Sequence, residues 1–518
     1  MKSSWMKGTI ILTASAFFVK LLSLVYKVPY QNIAGDEGLY VFQQIYPLIG
    51  IYTTLNAVVL PTIISELLLT YQFSDDIKQY IKRSLWIFGV ICFGVLFIGS
   101  EFLAKLMGDA QLAQSIQVIG FIFLLIPSLS YWRGVAQCKP ETLQYVAYST
   151  TLEQLFRVVA IIAAILVVGH HSVYDISYLA YLGGLIGPII AIVFLALCPV
   201  KDETKGYLKL THRPHFFKKS VYLFLSAGIL ILFQLFDSFF IFNSLVDSGI
   251  EPLNAMAMKG SYDRGLPIVQ TATVFTGAVV SAMIPQLAAQ TEPKQRKKVF
   301  NASLHAILML AIPATVGLLL VVSDLNTALF MNNNGIEAIQ LLVLQVLFYP
   351  FIVFATASLQ SEGEYAKLLI SILAGLSVKL ILVPTLTLNL GITGAALSSV
   401  LALAVIAVIN VWFFRKSFAP RLIGTSIQIG LATLTMWLAI EFLQPVINQF
   451  TAEVVDERLA SLVALVCKAG IGVAAYALVI GIFMLMINAV KGGRKKKKKT
   501  IKKTSSAAVK KPSTQNKK

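Results

Sequence analysis

The sequence predicts an all-α, polytopic membrane protein with about fourteen transmembrane helices. Three observations carry that reading. Of the 518 residues, 57% are hydrophobic and only 13% are charged, against about 25% charged in a soluble globular protein. The polar residues are confined to short islands between long apolar runs, whereas a soluble chain of this length splits into domains with polar surface in every segment. The runs reach roughly 20 residues, enough to cross a bilayer as a helix, and backbone groups in lipid must pair internally. Alternating segments of about ten residues, which mark a membrane barrel, do not occur.

In chain order the spans are placed at 7–28, 38–70, 84–106, 115–137, 144–168, 176–198, 219–244, 262–290, 299–322, 337–360, 366–387, 392–414, 420–443 and 460–489. The first follows Lys2 and Lys7, as a signal peptide does. Its apolar stretch continues to Val25 and many spans follow, so it reads as an uncleaved first helix. The second and eighth are longer than about 20 residues, which implies tilt, a kink or extension into water. The third to sixth are separated by short polar turns, one of them after Gln137. The longest basic connection, 199–218, precedes the seventh. The eighth opens on Tyr262-Asp263-Arg264-Gly265-Leu266-Pro267, the ninth follows Lys294 to Lys298, and the tenth ends at Gln360. The eleventh and twelfth flank Gly391, and the last two precede a basic tail.

Charge tests this count. The net charge is +18, but Lys491–Lys518 hold 13 Lys and Arg and no acid, which leaves +5 for the other 490 residues. With the tail in the cytoplasm, an even number of spans places the N-terminus there too. The cytoplasmic connections then carry 19 basic residues, including Lys78, Arg133, Lys219, Arg296 and Arg415. The opposite ones carry four: Lys105, Lys259, Arg264 and Arg458. This is the positive-inside bias, and one missed helix scrambles the alternation after it. The expected address is a bacterial cytoplasmic membrane, with the tail held against anionic phospholipid rather than nucleic acid.

The first six spans and the next six each begin on the cytoplasmic side, so a duplication is parallel, about an axis along the membrane normal. Val59-Leu60-Pro61 ends the second span and Met283-Ile284-Pro285 the eighth, each before a basic loop. The implied division is a six-helix unit at 1–198, a cytoplasmic linker at 199–218, a second six-helix unit at 219–414, two extra helices within 415–490, and the tail at 491–518.

Charged residues inside spans cost about 2.5–3.5 kcal/mol each at a helix centre and therefore mark candidate sites. Lys20, Arg157 and Lys379 each lie about thirteen residues into helices 1, 5 and 11, a common depth of roughly 20 Å at 1.5 Å per residue. Three cations at one depth point to a shared, water-filled cavity that binds an anion. For each, the competing reading is snorkelling or a local partner. Glu153, four residues before Arg157, has good ion-pair spacing. Lys27 and Ser23 share the face of Lys20, and Lys27 either faces the cavity or reaches the headgroups. Asp237, one turn after Gln234, either binds a cation or pairs with one of the lysines. Asp263 and Arg264 beside Gly265 and Pro267 either place a guanidinium at a cavity mouth or form a loop salt bridge. Arg suits a diphosphate because its planar fork binds two oxygens at once.

Other chemistry is poorly supported. Cys92, Cys138, Cys198 and Cys467 have no metal-ligand or disulfide spacing. His170-His171, His212 and His215 lack Cys or acidic neighbours. There is no Gx4GK[ST] phosphate loop and no nucleophile triad or metal-hydrolase pattern. Neither an enzyme nor a resident cofactor or metal is expected.

The run Gly260-Ser261-Tyr262-Asp263-Arg264-Gly265-Leu266-Pro267-Ile268-Val269-Gln270, continuing to Ile284-Pro285, resembles the polysaccharide-biosynthesis flippases of the multidrug/oligosaccharidyl-lipid/polysaccharide exporter superfamily. So do Lys7-Gly8-Thr9, Lys20, Gly35-Asp36-Glu37-Gly38 and Gly391-Ile392-Thr393-Gly394-Ala395. Fourteen helices match the MurJ-like and stage V sporulation protein B-like branches better than the twelve-helix drug exporters. The resemblance implies two six-helix lobes around a central cavity, two extra C-terminal helices, and alternating-access export of an undecaprenyl-pyrophosphate-linked saccharide. It implies a cation at Lys20, where the family carries Arg, and a helix-8 arginine at Arg264. Tyr26-Lys27 stand where the MurJ-like pattern has Arg-Asp. The expected function is thus a lipid-linked oligosaccharide flippase, working beside cell-envelope synthesis enzymes. The alternative is a cation-coupled multidrug exporter, which wants carboxylates and aromatics where this chain has lysines. A membrane glycosyltransferase or a tail-bearing scaffold fits less well, since no connection is long enough for a catalytic loop.

Overall fold

The computed structural model describes residues 2–168, 172–200, 202, 215–290, 292–419 and 421–508, with side chains described between Ile11 and Met486 except at positions such as Lys20. Every regular element among them is helical. Helix α1 (Lys2–Thr54) takes in the first predicted span and much of the second. Gly35 divides it, at φ 73° and ψ −175°, a conformation open essentially to glycine alone. The two arms fold back on each other. The Tyr26 and Phe42 rings are 5.8 Å apart, where sixteen residues of straight helix would separate them by about 24 Å. A π-helical turn, Leu55–Val59, leads into α2 (Leu60–Thr70).

Helices α3 (Asp75–Ile98) and α4 (Ser100–Leu106) cover the third predicted span. Helices α5 (Ala113–Phe123) and α6 (Ile126–Gln137) cover the fourth, with a 42° bend between them. Next come α7 (Leu143–Val168), α8 (Val173–Gly183), α9 (Ile186–Leu197), α10 (Phe216–Ala227) and α11 (Ile229–Asp247). The eighth span differs from expectation. It begins ten residues early, as α12 (Pro252–Asp263) running into α13 (Gly265–Ala288). Proline at a first helical turn costs no hydrogen bond, and Pro252 supplies that start. Helices α14 (Pro293–Phe330), α15 (Ile336–Val343) and α16 (Gln345–Ser361) follow, then α17 (Tyr365–Phe414), α18 (Arg421–Ala452) and α19 (Glu457–Ala508). Helix α17 turns at Gly391, φ 61° and ψ −145°, as α1 does at Gly35.

Ten helices among the described residues are long and apolar enough to cross a membrane, eleven if the bent α5–α6 pair is one span. Fourteen were expected. Part of the difference is that α1 and α17 each hold two expected spans across a glycine bend.

Side-chain contacts sort the connections into two ends. At one, Asp36 meets Arg264, Asn243 bonds the Leu106 carbonyl, Tyr174 bonds Asp109, and Arg458 bonds the Ala328 carbonyl. At the other, Lys78 pairs with Asp202, Lys219 with Glu66, and Arg296 with Glu362, while Asn301 bonds the Ser417 carbonyl. The outward faces are apolar: Ile98, Leu166, Leu197, Phe442 and Leu485 are all exposed. Charge lies inside, with Lys27, Arg133, Lys259, Arg264 and Lys379 at most 1% exposed. An apolar exterior around a charged interior is the arrangement a lipid solvent selects. The linker 199–218 falls largely outside the described residues, as do His170, His171, His212 and the side chains of the basic tail.

Candidate functional site

Four charged clusters lie in the interior. The first joins α11 to both arms of α17. Lys379, wholly buried, forms an ion pair with Asp237. Its ammonium also donates to Ser399 Oγ at 2.7 Å and Ser398 Oγ at 3.0 Å, and approaches the Ala395 carbonyl at 3.4 Å. The bend at Gly391 makes this possible by laying 395–399 beside 379. The second carboxylate oxygen of Asp237 accepts from Tyr262 Oη at 2.8 Å. Of the two sequence readings of Asp237, the structure realises the pairing with a lysine.

The second cluster is an Arg–Glu–Arg triad. Glu153 bridges Arg157 at 2.6 Å and Arg133 at 2.8 Å. Arg133 is fully buried and also bonds Ser149 and the Asn56 carbonyl. Arg157 reaches Gln154, and Gln154 donates to Ser23 on α1. The (i, i+4) spacing that suggested Glu153 as a partner of Arg157 does form a pair. Arg133, however, was assigned to a basic connection. It lies inside α6, four residues before the helix ends at Gln137 and within the expected fourth span, and its charge is met there by Glu153 rather than by water.

The third cluster fastens the first third of the chain to the second half. Arg264 grips Asp36 with its fork, Nε to Oδ1 at 2.8 Å and Nη2 to Oδ2 at 2.5 Å, and Nη1 donates to Asn332 at 2.7 Å. Gln31 and Ser261 donate to the same carboxylate. The backbones meet as closely: a Cβ on Gly260 would stand 2.0 Å from the Asp36 carbonyl oxygen. Arg264 therefore sits in a bidentate ion pair between distant segments rather than a salt bridge within one loop.

The fourth cluster is Lys259 with Asp263, one turn apart on α12 at 2.6 and 2.8 Å and wholly buried. Both fell within or beside an expected connection; the early start of α12 carries them inside. Lys27 is also buried, with its ammonium 4.3 Å from the Tyr46 ring centre, so it does not reach the headgroups. The side chain of Lys20 lies outside the described residues. Arg157 and Lys379 are not brought into contact; each has its own carboxylate.

Within these clusters and Lys27, six buried basic residues (Lys27, Arg133, Arg157, Lys259, Arg264, Lys379) stand against three buried acids (Glu153, Asp237, Asp263) and the part-buried Asp36, while the other two buried lysines, Lys78 and Lys468, are each matched by a part-buried acid, Asp202 and Asp324. The excess among these described residues is positive. Beside them lies an apolar cavity of about 600 Å³ between α13, α14, α18 and α19, lined by residues such as Ile268, Leu318, Val321, Met436 and Val473. No group of three His, Cys, Asp or Glu side chains is placed to hold a metal among the described residues. The sequence missed Arg133, Asp36, Lys259, Asn332 and the serines of α17 as participants. Asp36 alone carried a signal, inside Gly35-Asp36-Glu37-Gly38.

An all-helical bundle with an apolar exterior and a cation-rich interior defines a multi-pass membrane carrier. Residues 5–289 match the family described as polysaccharide biosynthesis protein, and the chain belongs to that family. It is 31% identical over 453 residues to the "Uncharacterized membrane protein YabM" of Bacillus subtilis (strain 168), covering 84% of this chain and 85% of that one. It is 22% identical over 522 residues to the "Lipid II flippase MurJ" of the same organism, covering 92% and 95%. Among solved structures, the inward closed conformation of a lipid II flippase MurJ superposes with a TM-score of 0.69 at 17% identity, over 92% of this chain and 99% of that one. An inward-facing multidrug resistance MATE family transporter gives 0.57 at 17%, over 80% and 98%. The fold is shared with both.

Proposed function

We propose that this protein is a flippase that exports an undecaprenyl-pyrophosphate-linked cell-envelope saccharide by alternating access between two six-helix lobes, 1–198 and 219–414. The observation that carries the reading is the sign of the central clusters: six buried cations against four acids among the described residues. A diphosphate cannot cross hydrocarbon unaided and is held well by charge-assisted bonds. A lipophilic cationic drug is repelled by the same surplus. Lys27 and Arg157 on one side, and Arg264 and Lys379 on the other, are the substrate-facing candidates, with Lys20 joining them from α1. Their present acidic partners, Glu153, Asp36 and Asp237, hold the charges while no anion is there. The apolar cavity beside α18 and α19 suits the lipid tail, which stays in apolar surroundings while the headgroup crosses. An anionic headgroup leaving a negative cytoplasm also moves down the potential, by about 2.3 kcal/mol per charge per 100 mV. Both termini face the cytoplasm, where the tail meets anionic phospholipid and synthesis enzymes deliver the substrate.

The test is to deplete the protein in a strain lacking any redundant homologue and label precursor headgroups on intact cells. The exposed share of the lipid-linked pool is expected to fall while the total rises. An unchanged exposed share with new sensitivity to cationic drugs favours the multidrug exporter instead.

A further inference from the structure

The surroundings of Lys379 are those of a cation site rather than of a simple ion pair. A buried pair needs one oppositely charged partner and satisfied hydrogen bonds. Here four oxygens from two helices converge on one nitrogen: an Asp237 carboxylate oxygen, Ser399 Oγ, Ser398 Oγ and the Ala395 carbonyl. The Ser398 hydroxyl also contacts the Ala395 carbonyl, at 2.6 Å. Its proton is therefore used there, and its lone pairs face the nitrogen. An ammonium has three donors and no acceptor, so all four groups meet it as lone-pair donors. One carboxylate, one carbonyl and two hydroxyls are also the hard oxygen ligands that a free alkali cation selects. A small cavity of about 10 Å³, lined by Asp237, Gln234, Tyr262, Gln270, Gln345 and Ser399, adjoins the cage. It is on the scale of one water-sized guest.

We propose that the Asp237–Ala395–Ser398–Ser399 cage is a monovalent-cation site filled by the chain's own lysine. Lys379 is a tethered cation that fastens α11 to α17 and leaves no place for sodium or potassium. Removing its amine opens the cage to a free ion. The inference concerns the place of the lysine while no headgroup is bound, and its readout is ion binding and not cargo, so it stands or falls separately from the substrate assignment.

The experiment follows thermal unfolding of the purified full chain in detergent, titrating NaCl, KCl or methylammonium chloride against choline chloride at constant ionic strength. Three proteins are compared: wild type, Lys379→Ala, and the neutral pair Asp237→Asn/Lys379→Met. Wild type and the neutral pair are expected to be indifferent to the ion. Lys379→Ala is expected to show a saturable rise in melting temperature, about 2 °C or more, with at least one of the three cations. A saturable sodium or potassium response in wild type that the neutral pair loses overturns the proposal, because the cage then takes a free ion despite its lysine. So does a Lys379→Ala protein that no cation stabilises. Failure of Lys379→Ala to accumulate, when the neutral pair does, also counts against it, since the cell's own potassium has then not filled the cage. If neither variant accumulates, the wild-type titration decides alone.

Discussion

At the scale of single residues, buried charge in this chain is organised by shared carboxylates, and that sets an order of effects. Glu153 serves two arginines. Glu153→Gln strands both guanidinium groups in the interior, whereas Arg157→Met leaves Glu153 paired with Arg133. Breaking a buried pair by removing one partner costs about 3–5 kcal/mol. Glu153→Gln is therefore expected to lower the melting temperature in detergent more than Arg157→Met does. The reverse order would mean that Arg157, not Glu153, organises the triad. A second test concerns Asp36 and Arg264, joined by two hydrogen bonds across the fold. Asp36→Asn and Arg264→Gln singly are expected to abolish complementation. In Asp36→Arg/Arg264→Asp the attraction is restored with the polarity reversed, and complementation is expected to return in part. A double variant no better than either single one would show that the two act separately.

At the scale of helices, the two glycine bends decide which side chains meet. Gly35 brings Tyr26 and Phe42 together, and Gly391 brings Ser398 and Ser399 to Lys379. Both glycines occupy conformations that a Cβ disfavours by about 1–3 kcal/mol. Gly35→Ala and Gly391→Ala are each expected to reduce stability by that amount in thermal unfolding. Gly424→Ala, where a Cβ meets nothing within 4 Å, serves as the comparison and is expected to be near neutral. The sequence made the helices legible because apolar runs of spanning length are a composition signal that survives without any partner. It also made Glu153–Arg157 legible, because their spacing lies within one helix. It did not make Asp36–Arg264 or the Lys379 cage legible. Asp36–Arg264 and Lys379–Asp237 join segments far apart in the chain, and Ala395, Ser398 and Ser399 reach Lys379 only through the bend at Gly391; nothing local reports which face of one helix meets another. Arg133 and Lys259 were misplaced for a related reason. A basic residue near the end of an apolar run reads as the start of a loop unless its buried carboxylate is known, and for Arg133 that partner is Glu153, twenty residues on.

At the scale of the whole molecule, the contacts at the two ends carry a statement about the membrane. The connections around Asp36, Asp109, Asn332 and Arg458 lie at one end, and those around Lys78, Lys219, Arg296 and Ser417 at the other. Once Arg133, Lys259 and Arg264 are recognised as interior residues, the charges left in the connections are more lopsided than the sequence alone suggested. Among the described residues the second end keeps Lys78, Lys82, Arg83, Lys139, Lys218, Lys219, Lys294, Arg296, Lys297, Lys298, Lys367, Arg415 and Lys416. The first end keeps Lys105 and Arg458. Lys and Arg near span ends orient a helix bundle with the basic side in the cytoplasm. The second end is therefore predicted to be cytoplasmic, and the Asp36–Arg264–Asn332 cluster to close the bundle toward the outside. Reporter fusions after Gly206 and after Lys518 are expected to read cytoplasmic, and a fusion at Asn333 external. A single cysteine at Asn333, in a chain with its four native cysteines replaced, is expected to react in intact cells with a membrane-impermeant maleimide, whereas one at Lys297 reacts only after lysis. An external reading at Lys518 would break the even number of crossings. A cytoplasmic reading at Asn333 would place the Asp36–Arg264 cluster on the wrong side for an outer closure, and the proposed alternating-access cycle would then have to begin from the opposite face.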